Sequence, residues 1–166
     1  MIFGDIPTGV AVFLDANVFV YHFTMHPQFS AAATALLERI ENRDIHGVTS
    51  ASVLADVSHR LMTLEAHDLL GWPMQGIAHR LKRHPNEVQK LTRYRQALDE
   101  ISQLGMQIVP VTGPFVSLAA DVSRQHGLLC NDALIITVMR DQGLQFLASH
   151  DADFDRIPGI VRYAPA

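Results

Sequence analysis

The sequence predicts a three-layer α/β fold with a mostly parallel sheet of about five strands. The short apolar run VAVFL (residues 10–14) is continuous rather than alternating, as in strands buried on both faces of a parallel sheet, and LQFLA (144–148) is a second, largely apolar run. Between such runs lie longer stretches with apolar residues at helical spacing, and this alternation of strand and helix is the mark of βα units. The length of 166 residues, 48% of them apolar, suits a single domain spanning residues 1–166. A chain of this size buries roughly 70% of its unfolded surface and needs no staples.

Each element follows from its local signals. After the first strand, FSAAATALLERIE (29–41) has helical composition and spacing. IHGVTS (45–50) reads as the second strand. Ser52 is placed to cap the next helix, whose stripe is Val53, Leu54, Val57, Leu61 and Leu64. Gly71, Pro73 and Gly76 mark a break. Asn86 then caps a long predicted helix with the stripe Val88, Leu91, Tyr94, Leu98, Ile101 and Leu104, stopped by Gly105. QIVPV (107–111) is a third strand, weakened by Pro110. Thr112 caps a helix carrying Phe115, Leu118, Ala119 and Val122 that ends at Gly127, and another helix runs from near Asp132 to Gly143. LQFLA is the fourth strand and GIVRY (159–163) a short fifth.

Composition narrows the function classes. The formal net charge of −4 argues against a uniformly basic nucleic-acid-binding surface while allowing a local patch. The single Cys130 leaves no intramolecular disulfide and no thiolate zinc cluster. The N-terminal residues lack the pattern of a secretory signal, and no apolar run reaches membrane-spanning length, so the expected location is the cytoplasm, without membrane partners.

In open parallel sheets the functional crevice lies outside the carboxyl ends of the strands. Asp15 follows the first strand, and Asp151 follows the fourth with Asp153 and Asp155 behind it. Asp56 flanks the stripe of the second helix, and Asp132 opens NDALIITVM. Each has an ordinary explanation: an Asx turn for Asp15, an ion pair with Arg60 for Asp56, a first-turn helix acid for Asp132, and a solvated turn for 151–155. Together, however, four acids fall where this topology converges. Crowded carboxylates raise their pKa values or take a cation, and a hard divalent ion with oxygen ligands, Mg²⁺ or Mn²⁺, resolves the repulsion. Such a centre suits phosphodiester hydrolysis.

Taken in order, FLDANVFVY, SVLADVSHRL, HGLLCNDALIITVM and LASHDADFDRIPGI resemble the successive motifs of the PIN-domain family, specifically its VapC-like toxic ribonucleases, from about residue 10 to 161. The resemblance implies a Rossmann-like sheet, a metal-dependent endoribonuclease using Mg²⁺ or Mn²⁺, an RNA substrate, a cognate antitoxin that blocks the pocket, and a homodimer. Carried over by position, Asp15, Asp56, Asp132 and Asp151 match the four acids, with Asp15, Asp132 and Asp151 as metal ligands. Asn17 and Ser149 match the polar residues that position the first and last acids, and Asp153 matches a frequent extra acid. The chain departs from the pattern at Asp56, where the family usually has Glu, one methylene longer. Asp155 is left as a solvated turn residue.

The stretch from about 64 to 105 is an enlarged helical arm for this family. Within it, Arg80, Lys82, Arg83, Lys90, Arg93 and Arg95 are six of the thirteen Lys and Arg residues. They offer either an RNA phosphate contact or a solubilising helix face, with dimer or antitoxin docking as a competitor for the arm, favoured if Trp72 and Met74 are exposed. Among the nine His, His22 and His26 have i, i+4 spacing, but Pro27 breaks any helix there, so structural roles are expected. Alternation along an extended segment points His150 away from Asp151. Cys130 is expected to be a small buried residue. No Gly-rich phosphate loop or Gly-x-Ser-x-Gly elbow is present. The competing functions are a PIN scaffold with weak or no catalysis, acting as an RNA-binding or protein-interaction module, and a phosphoacceptor receiver-like domain, which lacks its expected Lys after the later strands.

Overall fold

The computed structural model describes residues 1–166. Strand β1 (Ala11–Leu14) is the centre of the sheet, and Val12, Phe13 and Leu14 are completely buried, which is why its sequence is a continuous apolar run. Its neighbours are β2 (His46–Ser50) and β4 (Phe146–Ala148); β3 (Gln107–Val109) and β5 (Val161–Tyr163) form the edges. All four pairings are parallel, in the order β3-β2-β1-β4-β5. The third strand stops before Pro110, which has no N–H to give and sits at an edge.

The first crossover holds α1 (Ala16–Phe23) and α2 (Ser30–Glu41), and the second holds α3 (Ala51–Leu70), α4 (Ile77–Lys82), α5 (Pro85–Val88) and α6 (Arg93–Gln103). The third carries α7 (Gly113–His126) packed on α8 (Cys130–Asp141). Helices α1, α2, α3 and α6 pack on one another, giving the three-layer α/β/α arrangement. Phe13, Phe19, Leu36, Leu61, Ile101, Ile136 and Leu147 join the layers in one core. No helix is long and apolar enough to cross a membrane.

Several local expectations are corrected. The helix α1 lies in a stretch with no helix expected. Ser50, not Ser52, caps α3, its hydroxyl accepting from Val53 N–H at 3.3 Å, while Ser52 bonds to the Ser50 hydroxyl at 2.9 Å. Thr112 precedes α7 without a side-chain cap, and Leu118 is 53% exposed rather than part of a buried stripe. Cys130 is exposed, at the first position of α8.

The long helix expected from Asn86 is two, α5 and α6, separated by residues 89–92. The break has a specific cause. Glu65 on α3 is buried and its carboxylate accepts from Thr92 N–H at 3.0 and 3.1 Å and from Arg93 N–H at 3.0 Å, so it satisfies the first amides of α6 from another helix. Around it a small separate core of Ala66, Ile77, Leu81 and Leu91, flanked by Trp72, makes the arm a local packing unit.

Candidate metal centre

The sheet order reverses beside β1: the chain moves outward through β2 and β3, then returns to add β4 and β5 on the other side. The carboxyl ends of β1 and β4 therefore flank a topological switch point, where open α/β sheets place their ligand crevice. Asp15 follows β1 and caps α1, its Oδ1 accepting from Ala16 N–H at 2.6 Å. Its Oδ2 accepts from the Asn17 amide and, at 2.7 Å, from the hydroxyl of Ser149, which is fully buried behind β4. The Ser149 oxygen in turn accepts from Asp151 N–H at 3.0 Å and from Asn17 Nδ2 at 3.2 Å. Asn17 Oδ1 accepts from His150 N–H at 3.1 Å. Asn17 and Ser149 thus stitch the two strand ends together and fix the orientation of Asp15.

Two helices complete the cleft. Ser52, Val53 and Asp56 lie on one turn of α3, and Asn131, Asp132 and Ile135 on the first turns of α8; with Asp15 and Ala16 they line a cavity of about 40 Å³. Three of the four expected acids therefore share one cleft. Asp151 does not line it. It caps the 3-10 turn Ala152–Arg156, accepting from Asp153 N–H at 2.8 Å, but it stands close enough to act on Asp132.

The electrostatics match the crowding. Asp132 has its pKa pushed up to about 6, first by desolvation and then by the negative charges of Asp151, Asp15, Asp153 and Asp56. Burial raises the Asp15 carboxyl too, opposed by the hydrogen bonds from Ser149 and Ala16 and by the Arg60 guanidinium. No three acidic, His or Cys side chains converge into a ready ligand shell. The donor set is nonetheless all oxygen, and Mg²⁺ typically takes one or two carboxylates directly and keeps several waters, so these residues fit an ion held partly through water.

The remaining acids of the turn have partners. Asp153 is paired with Arg156 at 2.9 Å. Asp155, expected as a solvated residue, is instead held in a two-pronged bond by Arg162, 2.7 Å at each contact, which keeps its carboxyl below the usual range. Arg162 also donates to the Ser149 carbonyl at 3.1 Å, tying β5 to the strand end that carries the site.

Asp56 does meet Arg60, at 3.9 Å with both side chains 41% exposed, so the ordinary ion pair and the cleft position coexist. Arg60 itself has more reach than expected: its charge acts on Asp15 and on the Tyr21 hydroxyl as well. Its only sequence signal was the i, i+4 spacing to Asp56.

None of the six basic arm residues lines the cleft. Lys90 pairs with Glu87, Arg93 with Asp68 and Arg95 with Asp99, at 2.9, 2.9 and 3.0 Å. Arg80 lies over the ring of Trp72 at 4.3 Å, and Trp72 is half-buried rather than exposed, while Met74 is 45% exposed. Arg80, Lys82 and Arg83, on and just after α4, form the less committed part of the patch. His22 Nδ1 bonds the Thr34 hydroxyl at 2.8 Å, and His26 Nδ1 accepts from the Gln28 and Phe29 amides at 3.3 Å.

With this fold and cleft, the family profile described as PIN domain matches residues 12–160, and the chain belongs to the PIN-domain family. Among curated relatives, it is 26% identical over 151 residues to ribonuclease VapC2 of Methanocaldococcus jannaschii, covering 88% of each chain. Similar solved folds include VapBC2 from Rickettsia felis bound to a DNA fragment from its promoter, with a TM-score of 0.61 and 17% identity over 94% of this chain and 99% of that one. Another is VapC20 of Mycobacterium tuberculosis, a sarcin-ricin loop cleaving toxin, with a TM-score of 0.60 and 18% identity over 87% and 92% of the two chains. At these identities the structural likeness bears on the fold.

Proposed function

We propose that the protein is a cytoplasmic, metal-dependent endoribonuclease, the toxin of a type II toxin-antitoxin pair. The observation that carries the reading is the cleft at the switch point, where Asp15, Asp56 and Asp132 meet and Asp132 is driven up to about 6 by desolvation and then by the surrounding carboxylates. The similarity to proteins named VapC ribonucleases supports the same reading. By the same likeness the partners are RNA, a second copy of the chain and a cognate antitoxin.

Asp15, Asp132 and Asp151 are the residues that would hold Mg²⁺ or Mn²⁺, with Asp56 lining the same cleft as Asp15 and Asp132. When bound, such an ion supplies Lewis acidity that polarises a phosphoryl oxygen and makes water a competent nucleophile near neutral pH. The chain's own contribution is orientation. Ser149 and Asn17 leave Asp15 a single direction to face, and Asp153 supports Asp151 by donating its N–H. Arg60 is the cation at the rim that can meet a phosphate.

The test is cleavage of a mixed cellular RNA pool by purified protein, free of antitoxin, with Mg²⁺ or Mn²⁺, with EDTA, and with Asp15→Asn, alongside calorimetric titration of the metal alone. Discrete cleavage that needs the ion and is absent from the variant is the expected result. Folded protein that neither cleaves nor binds either ion would instead favour the PIN-fold binding module, the reading that the short, Arg60-paired Asp56 keeps open. A second variant probes that departure directly. Asp56→Glu lengthens the side chain by one methylene and is expected to tighten metal binding by roughly tenfold, the lower end of the changes seen around ligand shells; unchanged or weaker metal affinity would show that the shorter acid is the better fit here.

A further inference from the structure

Beside the acidic cleft four rings meet. Tyr21 and His26 stand 4.8 Å apart between centroids and Tyr21 and Phe29 5.1 Å, while His26 stacks on Phe29 at 5.0 Å with the planes 13° apart. His150 meets Phe29 edge-on at 4.6 Å, and its Nδ1 shares a hydrogen bond with the Tyr21 hydroxyl. The cluster is not sealed. His150 is exposed, the other three are half-buried, and Phe29 and both imidazoles lie outside the main core.

The cluster is also fastened to the cleft. His150 directly follows Ser149, the hydroxyl donor to Asp15, and the His150 N–H is held by Asn17. Tyr21 rides on α1, the helix that Asp15 caps. The Arg60 guanidinium, 3.9 Å from Asp56 of the cleft, is near enough for its charge to act on both Asp15 and the Tyr21 hydroxyl. A cation within electrostatic reach of a partly open ring cluster has the make-up of a site for one nucleotide: the guanidinium meets a phosphate and the rings meet the base.

We infer that Tyr21, His26, Phe29 and His150 form a stacking subsite for one unpaired nucleobase beside the phosphodiester held at the cleft. The inference rests on the ribonuclease reading and adds to it that the RNA must be single-stranded or looped out at that nucleotide, because a base inside an A-form helix has no free face to offer. His150 is the ring most open to solvent, and its ring, rather than its titration, is what the subsite uses.

The test is equilibrium binding of a short single-stranded oligouridylate and of the same sugar-phosphate strand without bases, in Mg²⁺ and in the non-cleaving Asp132→Asn background. With His150 intact the bases should improve affinity by roughly tenfold. His150→Ala should lose most of that gain while binding the baseless strand as before, and His150→Phe, which restores a ring without a titrating nitrogen, should recover it. An equal gain from the bases in all three proteins, a gain not rescued by Phe, or no binding of either strand would overturn the subsite. Metal-dependent cleavage with an unchanged base contribution in His150→Ala would remove the subsite and leave the nuclease standing. A His150-dependent base contribution in a protein that cleaves no RNA would remove the nuclease and leave the subsite.

Discussion

Asp132→Asn is expected to abolish metal-dependent cleavage and, in the metal-free protein at pH 7, to raise the melting temperature. The two effects share a cause. The Asp132 carboxyl is pushed from 3.8 to about 6 by desolvation and by four neighbouring carboxylates. Between those values the folded protein holds a proton that the unfolded chain has released, so stability falls as pH rises through this window and stays lowered above it. Asp15, raised by burial, acts in the same direction. Asp155, held low by Arg162, contributes in the opposite sense, but its contribution is lost only as pH falls below the ordinary carboxylate range. A displacement of the size seen at Asp132 corresponds to about 3 kcal/mol, and solvent around a partly exposed side chain reduces it to roughly 1 kcal/mol. For a chain this long that is about 2–4 °C. Thermal unfolding in EDTA at pH 5 and pH 7 checks it: relative to wild type, Asp132→Asn should gain stability from pH 5 to pH 7 and melt higher at pH 7, while the opposing contribution of His22, whose pKa burial lowers, is common to both proteins. A variant that melts lower at pH 7, or keeps the full pH dependence, would mean that the acids of the cleft do not repel one another as described.

The largest purely structural effect is expected at Glu65. Its buried carboxylate is the sole side chain capping α6, through three backbone contacts of 3.0 to 3.1 Å. Glu65→Ala leaves the Thr92 and Arg93 amides without an acceptor in a half-closed environment, a loss of about 2–3 kcal/mol for hydrogen bonds to a charged group. Glu65→Gln keeps one acceptor oxygen and should lose about half as much. Because Ala97 and Ile101 of α6 belong to the main core, the damage reaches the whole domain, and the urea midpoint should fall. The cleft residues are untouched, so cleavage below the melting range should persist. A Glu65→Ala unfolding free energy within about 0.5 kcal/mol of wild type would show that water replaces the carboxylate without loss.

The sheet was legible because its signal is local and redundant: β1 and β4 read as unbroken apolar runs, and both lie deep in the core. The first helix was not, since Val18, Phe19 and Val20 continue the β-branched, aromatic composition of β1, and only the Asp15 cap, itself a site residue, separates the two. The division between α5 and α6 was invisible for a different reason. Its cause, Glu65, lies 27 residues away, and no local spacing reports a cap supplied by another helix. Among the site residues, Asp15, Asp56 and Asp132 were found because acids at strand ends and helix starts stand out in a chain with only 18% charged residues. Asp151 shared that signal, yet the structure uses it at the rim, where it caps a turn. The ring cluster escaped because its members are spread from position 21 to 150, and a tyrosine, a phenylalanine and two histidines at unrelated spacings resemble nothing until the chain has folded.

The bond from Ser149 to Asp15 spans 134 residues, and β4, the strand that delivers it, is made after β1, β2 and β3. Synthesis runs from the amino end, and contacts between distant residues close late. A chain made only as far as β3 has neither the hydroxyl that aims Asp15 nor the turn that brings Asp151. The acidic centre therefore comes into being only once β4 has been made and has docked beside β1, and until then Asp15, however well the first half of the chain has folded, has nothing to aim it.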